Sequence, residues 1–251
     1  MIKSLSKLRK QNKEKFRVPR SAQDVIDIDV IYKDGIFQKG KNYSKVFRFE
    51  DINYSIASKN DKMGLFLDYS ELLNSFDSSA LVKITINNRK IDLSDFKDNV
   101  LIKLQNDPLD EYREEYNTML YDKIKDTDEI VQEKYITITI YRNNITEARS
   151  AFNRYHSELS KHFSKLGTRF QALDTQERLK LLHDFYRSGQ EEHFQFDMND
   201  SAYKGHSFKD AICPIAPIFK HKYFQLDEKY GRVLYLNNYA NYIKDNFISE
   251  I

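Results

Sequence analysis

The stretch that decides the fold is Tyr135-Ile-Thr-Ile-Thr-Ile-Tyr141. Arg142-Asn-Asn144 joins it to a segment carrying Ile145, Ala148, Phe152, Tyr155, Leu159, Phe163 and Leu166, which Gly167 stops. In the first half Ile136, Ile138 and Ile140 face one way and Thr137 and Thr139 the other, the period of a half-buried strand. In the second half apolar residues recur at spacings of three and four, the period of a helix turned toward a core. Glycine tolerates the conformation that ends such a helix. Arg169 to Leu173 then reads as a short strand.

The same unit recurs upstream. Tyr43 to Glu50 is aromatic-rich and strand-like. Leu65, Tyr69, Leu72 and Phe76, widened by Met63, Phe66 and Leu73, predict a helix over about residues 59 to 77. Leu81 to Asn87 alternates again, with Val82, Ile84 and Ile86 on one face. Two strand–helix–strand units predict an α+β fold: a split βαβ, ferredoxin-like sheet of four strands with helices on one face. Thr and Lys on the strands fit a sheet covered on one side. A doubly wound sheet would want continuous apolar strands, and these alternate.

Other elements attach to this frame. Asp29 to Tyr32 and Ile36 to Gln38 form a hairpin around Lys33-Asp34-Gly35, because Asp-Gly supplies the turn conformation. An inserted helix opens at Asp107-Pro108, Asp as cap and Pro as first residue. Its apolar face is Leu109, Tyr112, Tyr116 and Met119, and it ends in the charged run Lys123 to Glu129. Ile91 to Val100 is a connector. Asp174-Thr-Gln-Glu177 is a capping box for a helix with Leu179, Leu182 and Tyr186 that closes near Gly189. After residue 191 Gly205, Pro214, Pro217 and Gly231 break the pattern, with a hairpin expected from Tyr223–Leu226 and Arg232–Leu236 around Asp227–Gly231. The expected organisation is a basic arm (1–20), an α+β domain (21–190) and a loop-rich segment (191–251). The end at Ser249-Glu250-Ile251 carries no capping signal and reads as a cut ahead of a downstream domain.

Composition excludes several classes. Of 251 residues, 40% are apolar and 31% charged, with Gly only 7 and Pro only 4, values foreign to collagen-like or disordered chains. Lys+Arg 40 against Asp+Glu 38 leaves +2, so bulk charge names no partner. The lone Cys213 permits no internal disulfide and fits a reducing compartment. No stretch approaches the roughly 20 apolar residues of a membrane span. These features predict a soluble cytoplasmic chain.

The arm is the one charge-biased segment. Lys3, Lys7, Arg9, Lys10, Lys13, Lys15, Arg17 and Arg20 stand against Glu14 alone, and Ile2, Leu5 and Leu8 fall at helical spacing. Such an arm can lie on anionic lipid, contact nucleic acid phosphate, or remain a solvated terminus.

No motif assembles a reaction. Gly35-Ile-Phe-Gln-Lys-Gly40-Lys41-Asn42 has the glycines and lysine of a phosphate loop, but Asn42 replaces the magnesium-binding hydroxyl and a strand follows where a helix is needed. His193, His206, Cys213 and His221 lack any metal-ligand spacing. Asp107, Asp110, Glu111, Glu114 and Glu115 crowd a helix start, where the dipole favours acids. There is no nucleophile elbow and no dinucleotide fingerprint. The expectation is no catalytic, cofactor or metal site, and a binding or assembly role. The alternative is a nucleic-acid-binding module in which Tyr43, Phe47 and Phe49 form a stacking strand beside the arm.

Several stretches carry a family resemblance: Lys7-Leu-Arg-Lys-Gln-Asn-Lys-Glu-Lys-Phe-Arg-Val-Pro-Arg-Ser-Ala-Gln-Asp24, Tyr32-Lys-Asp-Gly-Ile-Phe-Gln38, Phe47-Arg-Phe49 with Asp51-Ile-Asn-Tyr54, Tyr69-Ser-Glu-Leu-Leu-Asn-Ser75, Lys83-Ile-Thr-Ile-Asn-Asn-Arg89, Gln132-Glu-Lys-Tyr-Ile-Thr137, His183-Asp-Phe-Tyr-Arg187, and Tyr230-Gly-Arg-Val-Leu234 with Tyr242-Ile-Lys-Asp245. In order and over nearly the whole chain, these resemble the N-terminal region of VirB-four-like (TraE/TrsE-type) conjugative-transfer ATPases, the type found on integrative elements of Gram-positive bacteria. The resemblance implies a type IV secretion motor at the inner face of the cell membrane. It implies ATP and magnesium bound by the full-length family downstream of this region, and none bound here. It also implies that this region docks on channel subunits, including a small membrane subunit, and on neighbouring motor subunits.

Overall fold

The computed structural model describes residues 21–51, 58–90, 100–126, 130–199 and 207–238. The basic arm and most of the 91–100 connector lie outside them. The N-terminal elements are α1 (Ala22–Val25), β1 (Val30–Ile31), β2 (Phe37–Lys39) and β3 (Asn42–Phe49). Next come α2 (Lys59–Asn74), β4 (Ala80–Lys90), α3 (Asp110–Asp126), β5 (Ile130–Tyr141), α4 (Ile145–Lys165), β6 (Phe170–Ala172) and α5 (Thr175–Tyr186). A short helix α6 (Phe208–Ile212) and three strands, β7 (Ile218–Phe219), β8 (Phe224–Leu226) and β9 (Lys229–Gly231), follow.

The fold is α+β. Strands β6, β3, β5 and β4 lie side by side in that order, each antiparallel to its neighbour. The crossover from β3 through α2 to β4 leaves β5 between its ends, and the crossover from β5 through α4 to β6 leaves β3 between. This interleaving is the split βαβ arrangement. The β1–β2 hairpin continues the sheet beside Asn42–Ser44, on the same edge of β3 that β6 occupies at Phe47–Phe49.

The core lies between this sheet and α2 and α4. Ile136, Ile138 and Ile140 of β5 are buried with Tyr43 and Phe47 of β3, Leu72 of α2 and the α4 stripe from Ala148 to Phe163. Asn144 opens α4, its Oδ1 accepting the Glu147 N–H at 2.9 Å. Phe163 stacks on Phe170 at 4.8 Å and Phe170 on Phe47 at 5.2 Å, tying the helix to β6 and, through it, to β3. The Asp174–Glu177 capping box starts α5 as predicted. Leu181 of α5 packs on Val46, Tyr135 and Leu173, so α5 covers a corner of the sheet's other face. A second apolar cluster joins Ile26, Phe37 and Leu179 to Ile212, with Phe194 and Phe196, and so continues past residue 190.

Some expectations need correction. Helix α3 starts at Asp110 rather than at Pro108; Asp107 instead turns the chain, its carboxylate accepting the Leu109 N–H at 2.9 Å. The last hairpin is tighter than expected. Asp227 takes a positive φ of 50°, so the chain reverses at Asp227-Glu228 and β9 ends at Gly231. Gly231 sits opposite Phe224, whose ring leaves no room for a Cβ (2.2 Å). Arg232 to Leu236, expected as a strand, pairs with none of the described strands and is exposed.

Candidate docking surface

The phosphate-loop look-alike is a pair of turns. Gly35 (φ 75°) closes the first hairpin, and a Cβ there would lie 2.2 Å from the Leu173 carbonyl oxygen. Gly40 (φ 56°) closes the next turn, straight into β3. The aromatic trio is also accounted for. Tyr43 and Phe47 are buried in the core, and Phe49 packs on Phe163 at 5.2 Å. They face the helix layer, so the expected stacking strand for bases is not there: alternation put the three on one face but did not say which face the helices cover. Lys3, Lys7, Arg9, Lys10, Lys13, Lys15, Arg17 and Arg20 lie outside the described residues, as does His206. Among the described residues no three His, Cys, Asp or Glu side chains gather as a metal site. Cys213 is half-buried and burial pushes its thiol pKa up, away from nucleophile character.

Two polar constructions brace the sheet. On the face away from α2 and α4, Glu133 accepts Arg89 at both oxygens (3.1 and 3.2 Å) and the Tyr135 hydroxyl at 2.9 Å, with Arg48 at 3.6 Å. Burial works to raise the Glu133 pKa, but these donors, Arg89 first, hold it below the ordinary carboxylate value. Arg178 of α5 is buried without a carboxylate. It donates to the Gly35 and Ser44 carbonyls (3.0 and 2.6 Å) and the Ser44 hydroxyl (2.7 Å), its guanidinium 3.9 Å over the Phe37 ring. Burial pushes its pKa down to about 9. No sequence signal marked either site, because each is assembled from elements far apart in the chain.

One surface with unspent binding capacity is α3. Its first turn is held by Arg113, which bridges Asp107 and Asp110 and bonds Asp107 again through Nη2 at 3.0 Å. The Arg113 bond holds the Asp107 pKa below its ordinary value. For Asp110 the leading cause is the Gln105 N–H, with Arg113 assisting. One turn on, the Asn117 amide clamps the Ile102 backbone from both sides, accepting its N–H at 2.9 Å and donating to its carbonyl at 2.8 Å. The side of α3 turned to the preceding segment is therefore polar. The expected apolar face points the other way: Leu109, Tyr112, Tyr116 and Met119 are 48–67% exposed. Glu111, Glu115 and Asp122, at helical spacing and all exposed, border it along one flank. The spacing identified this stripe, but the structure leaves it bare.

An apolar ridge with an acidic flank has no nucleophile and no cation cradle. What it can do is bury area against another molecule and select for basic residues at the rim. Among the described residues no helix is long and apolar enough to cross a membrane. No protein-family model matches the chain, and no curated protein matches it.

Proposed function

We propose that this chain is a docking and assembly module of a conjugation-type (type IV secretion) motor, one that holds partners rather than converting nucleotide. The observation that carries the reading is the bare α3 ridge, a helix braced by Asp107, Arg113 and Asn117 yet turned so that its apolar side meets solvent. The family resemblance of the sequence supports the same role. In this reading α3 meets the channel, its small membrane subunit included, on an apolar, basic-rimmed face. The basic arm meets anionic lipid or a small membrane subunit and places the module at the inner face of the cell membrane.

Two measurements test it. The chain and its Tyr112→Asp/Tyr116→Asp variant are titrated against proteoliposomes carrying the small membrane subunit of a type IV channel. The variant is expected to keep its melting temperature and lose at least tenfold in affinity; equal affinities overturn the α3 assignment. Vesicle flotation of the chain with and without residues 1–20 is expected to show anionic-lipid binding only with the arm, and equal flotation removes the arm from the mechanism. Nucleotide hydrolysis by the purified chain alone would overturn the whole reading.

A further inference from the structure

Strand β4 ends the sheet. It pairs with β5 without interruption from Ala80↔Ile140 to Lys90↔Ile130, and among the described strands none lies on its outer side. Its eleven residues contain no proline, and the unbroken register contains no bulge. Those are two of the devices that blunt a free edge. Along it Leu81, Ile84 and Ile86 are 70, 40 and 57% exposed. An edge of this length presents a row of unused N–H and C=O groups to another strand.

The helix layer beside this edge is apolar too. Lys165 of α4 pairs with Asp68 (2.6 Å) and Glu71 (3.5 Å), so that side of α2 faces α4. Met63, Phe66 and Leu73 lie on the opposite side of the helix, away from α4, and all three are exposed.

We infer that two copies of this chain pair edge to edge through β4, antiparallel about a two-fold axis at Ile84, with the outer sides of the two α2 helices closing over the seam. The sequence of β4 is self-complementary in this register. Ile84 meets Ile84 of the second copy and Val82 meets Ile86, an apolar row on the helix side of the sheet, where cross-strand pairs stabilise most. Lys83 falls opposite Thr85, so no like charges are opposed. Arg89 falls opposite Ser79 of the second copy, so the end of β4 meets a small neutral residue there. A register centred one residue earlier would place Lys83 against Lys83, a repulsive pair. The area is adequate: a strand edge about 36 Å long with the flank of a helix about 24 Å long buries roughly 600 Å² per copy, at the lower limit of stable interfaces. The pairing goes beyond the docking reading, since it uses no part of α3 or the arm.

The test is the oligomeric state of the full chain. Sedimentation equilibrium from micromolar to hundreds of micromolar is expected to show a particle of twice the chain mass, and Ile84→Lys to shift it to monomer with unchanged circular dichroism. In a Cys213→Ser background, Ile84→Cys is expected to form a disulfide-linked dimer under mild oxidation, because centred partners sit about 4.5–5.5 Å apart at Cα. Leu81→Cys, well away from its own mate, is not. A monomer across the whole concentration range, or Leu81→Cys cross-linking as fast as Ile84→Cys, overturns the inference. The Tyr112→Asp/Tyr116→Asp variant is expected to dimerise like the parent, so failure of the α3 reading and of this pairing are told apart.

Discussion

Helices α4 and α3 are alike on paper and opposite in place. Both carry apolar residues at spacings of three and four. In α4 the stripe from Ala148 to Phe163 is buried to within 2% exposure, while in α3 the corresponding stripe is half to two-thirds exposed. The reason lies beneath them. Helix α4 crosses over a four-strand sheet whose inner face offers Ile136, Ile138, Ile140, Tyr43 and Phe47. Helix α3 is inserted between β4 and β5 at the end of their ribbon. There β5 runs on to Ile130 while its pairing with β3 stops at Lys134, so the sheet narrows to two strands. Periodicity says that a helix has a face; only what lies opposite decides whether that face is core or contact.

The hardest test of this contrast is Phe152→Ala. Removing a fully buried ring from α4 is expected to cost about 4 kcal/mol in urea denaturation. Tyr116→Ala in α3 is expected to cost no more than about 0.5 kcal/mol. A loss of more than 2 kcal/mol at Tyr116, on the order of a core truncation, would make α3 part of the core and end the contrast.

Arg178→Met comes next. It leaves the Gly35 and Ser44 carbonyls without their donor in a buried place, and about 3 kcal/mol is expected from two such losses. A near-neutral result would mean that the first hairpin does not depend on α5. Glu133→Gln, on the face away from α4, is expected to cost about 1–2 kcal/mol at neutral pH. Its sign with pH follows from the lowered pKa of Glu133. The contribution is present above the ordinary carboxylate value, about 4.3, and is lost as pH falls through the lower folded value. The variant should therefore show a shallower loss of stability below that pH, and parallel curves would refute the assignment.

The smallest effect sharpens the picture of α3 itself. Asn117→Ala is expected to leave global stability within about 0.5 kcal/mol. It should raise hydrogen exchange at the Ile102 amide, which loses its acceptor. Unchanged exchange there would show that the clamp does not hold the segment.

Strand and helix identity were legible locally. Tyr135–Tyr141 alternates because a pleated strand sends successive side chains to opposite faces, and 145–166 repeats at 3.6 because a helix does. Turn chemistry was equally local at Gly35, Gly167 and the Asp174 box. The error at the last hairpin was local as well: a positive φ at Asp227, a non-glycine, leaves a weaker trace than Gly231 did. The site was legible only in part. The stripe Leu109, Tyr112, Tyr116, Met119 could be read, but not that it is bare, and the Glu133–Arg89 and Arg178 constructions could not be read at all, since their partners lie 44 and 134–143 residues apart.

By itself, then, the order of residues determined the main strands and helices, their amphipathic faces and the pair of strand–helix–strand units, because dihedral preference and side-chain period act over a few neighbours. Tertiary structure alone decided which faces are covered, which charges meet and which strand is left at the edge. Burial depends on what another part of the chain places opposite, and no window of sequence contains that part.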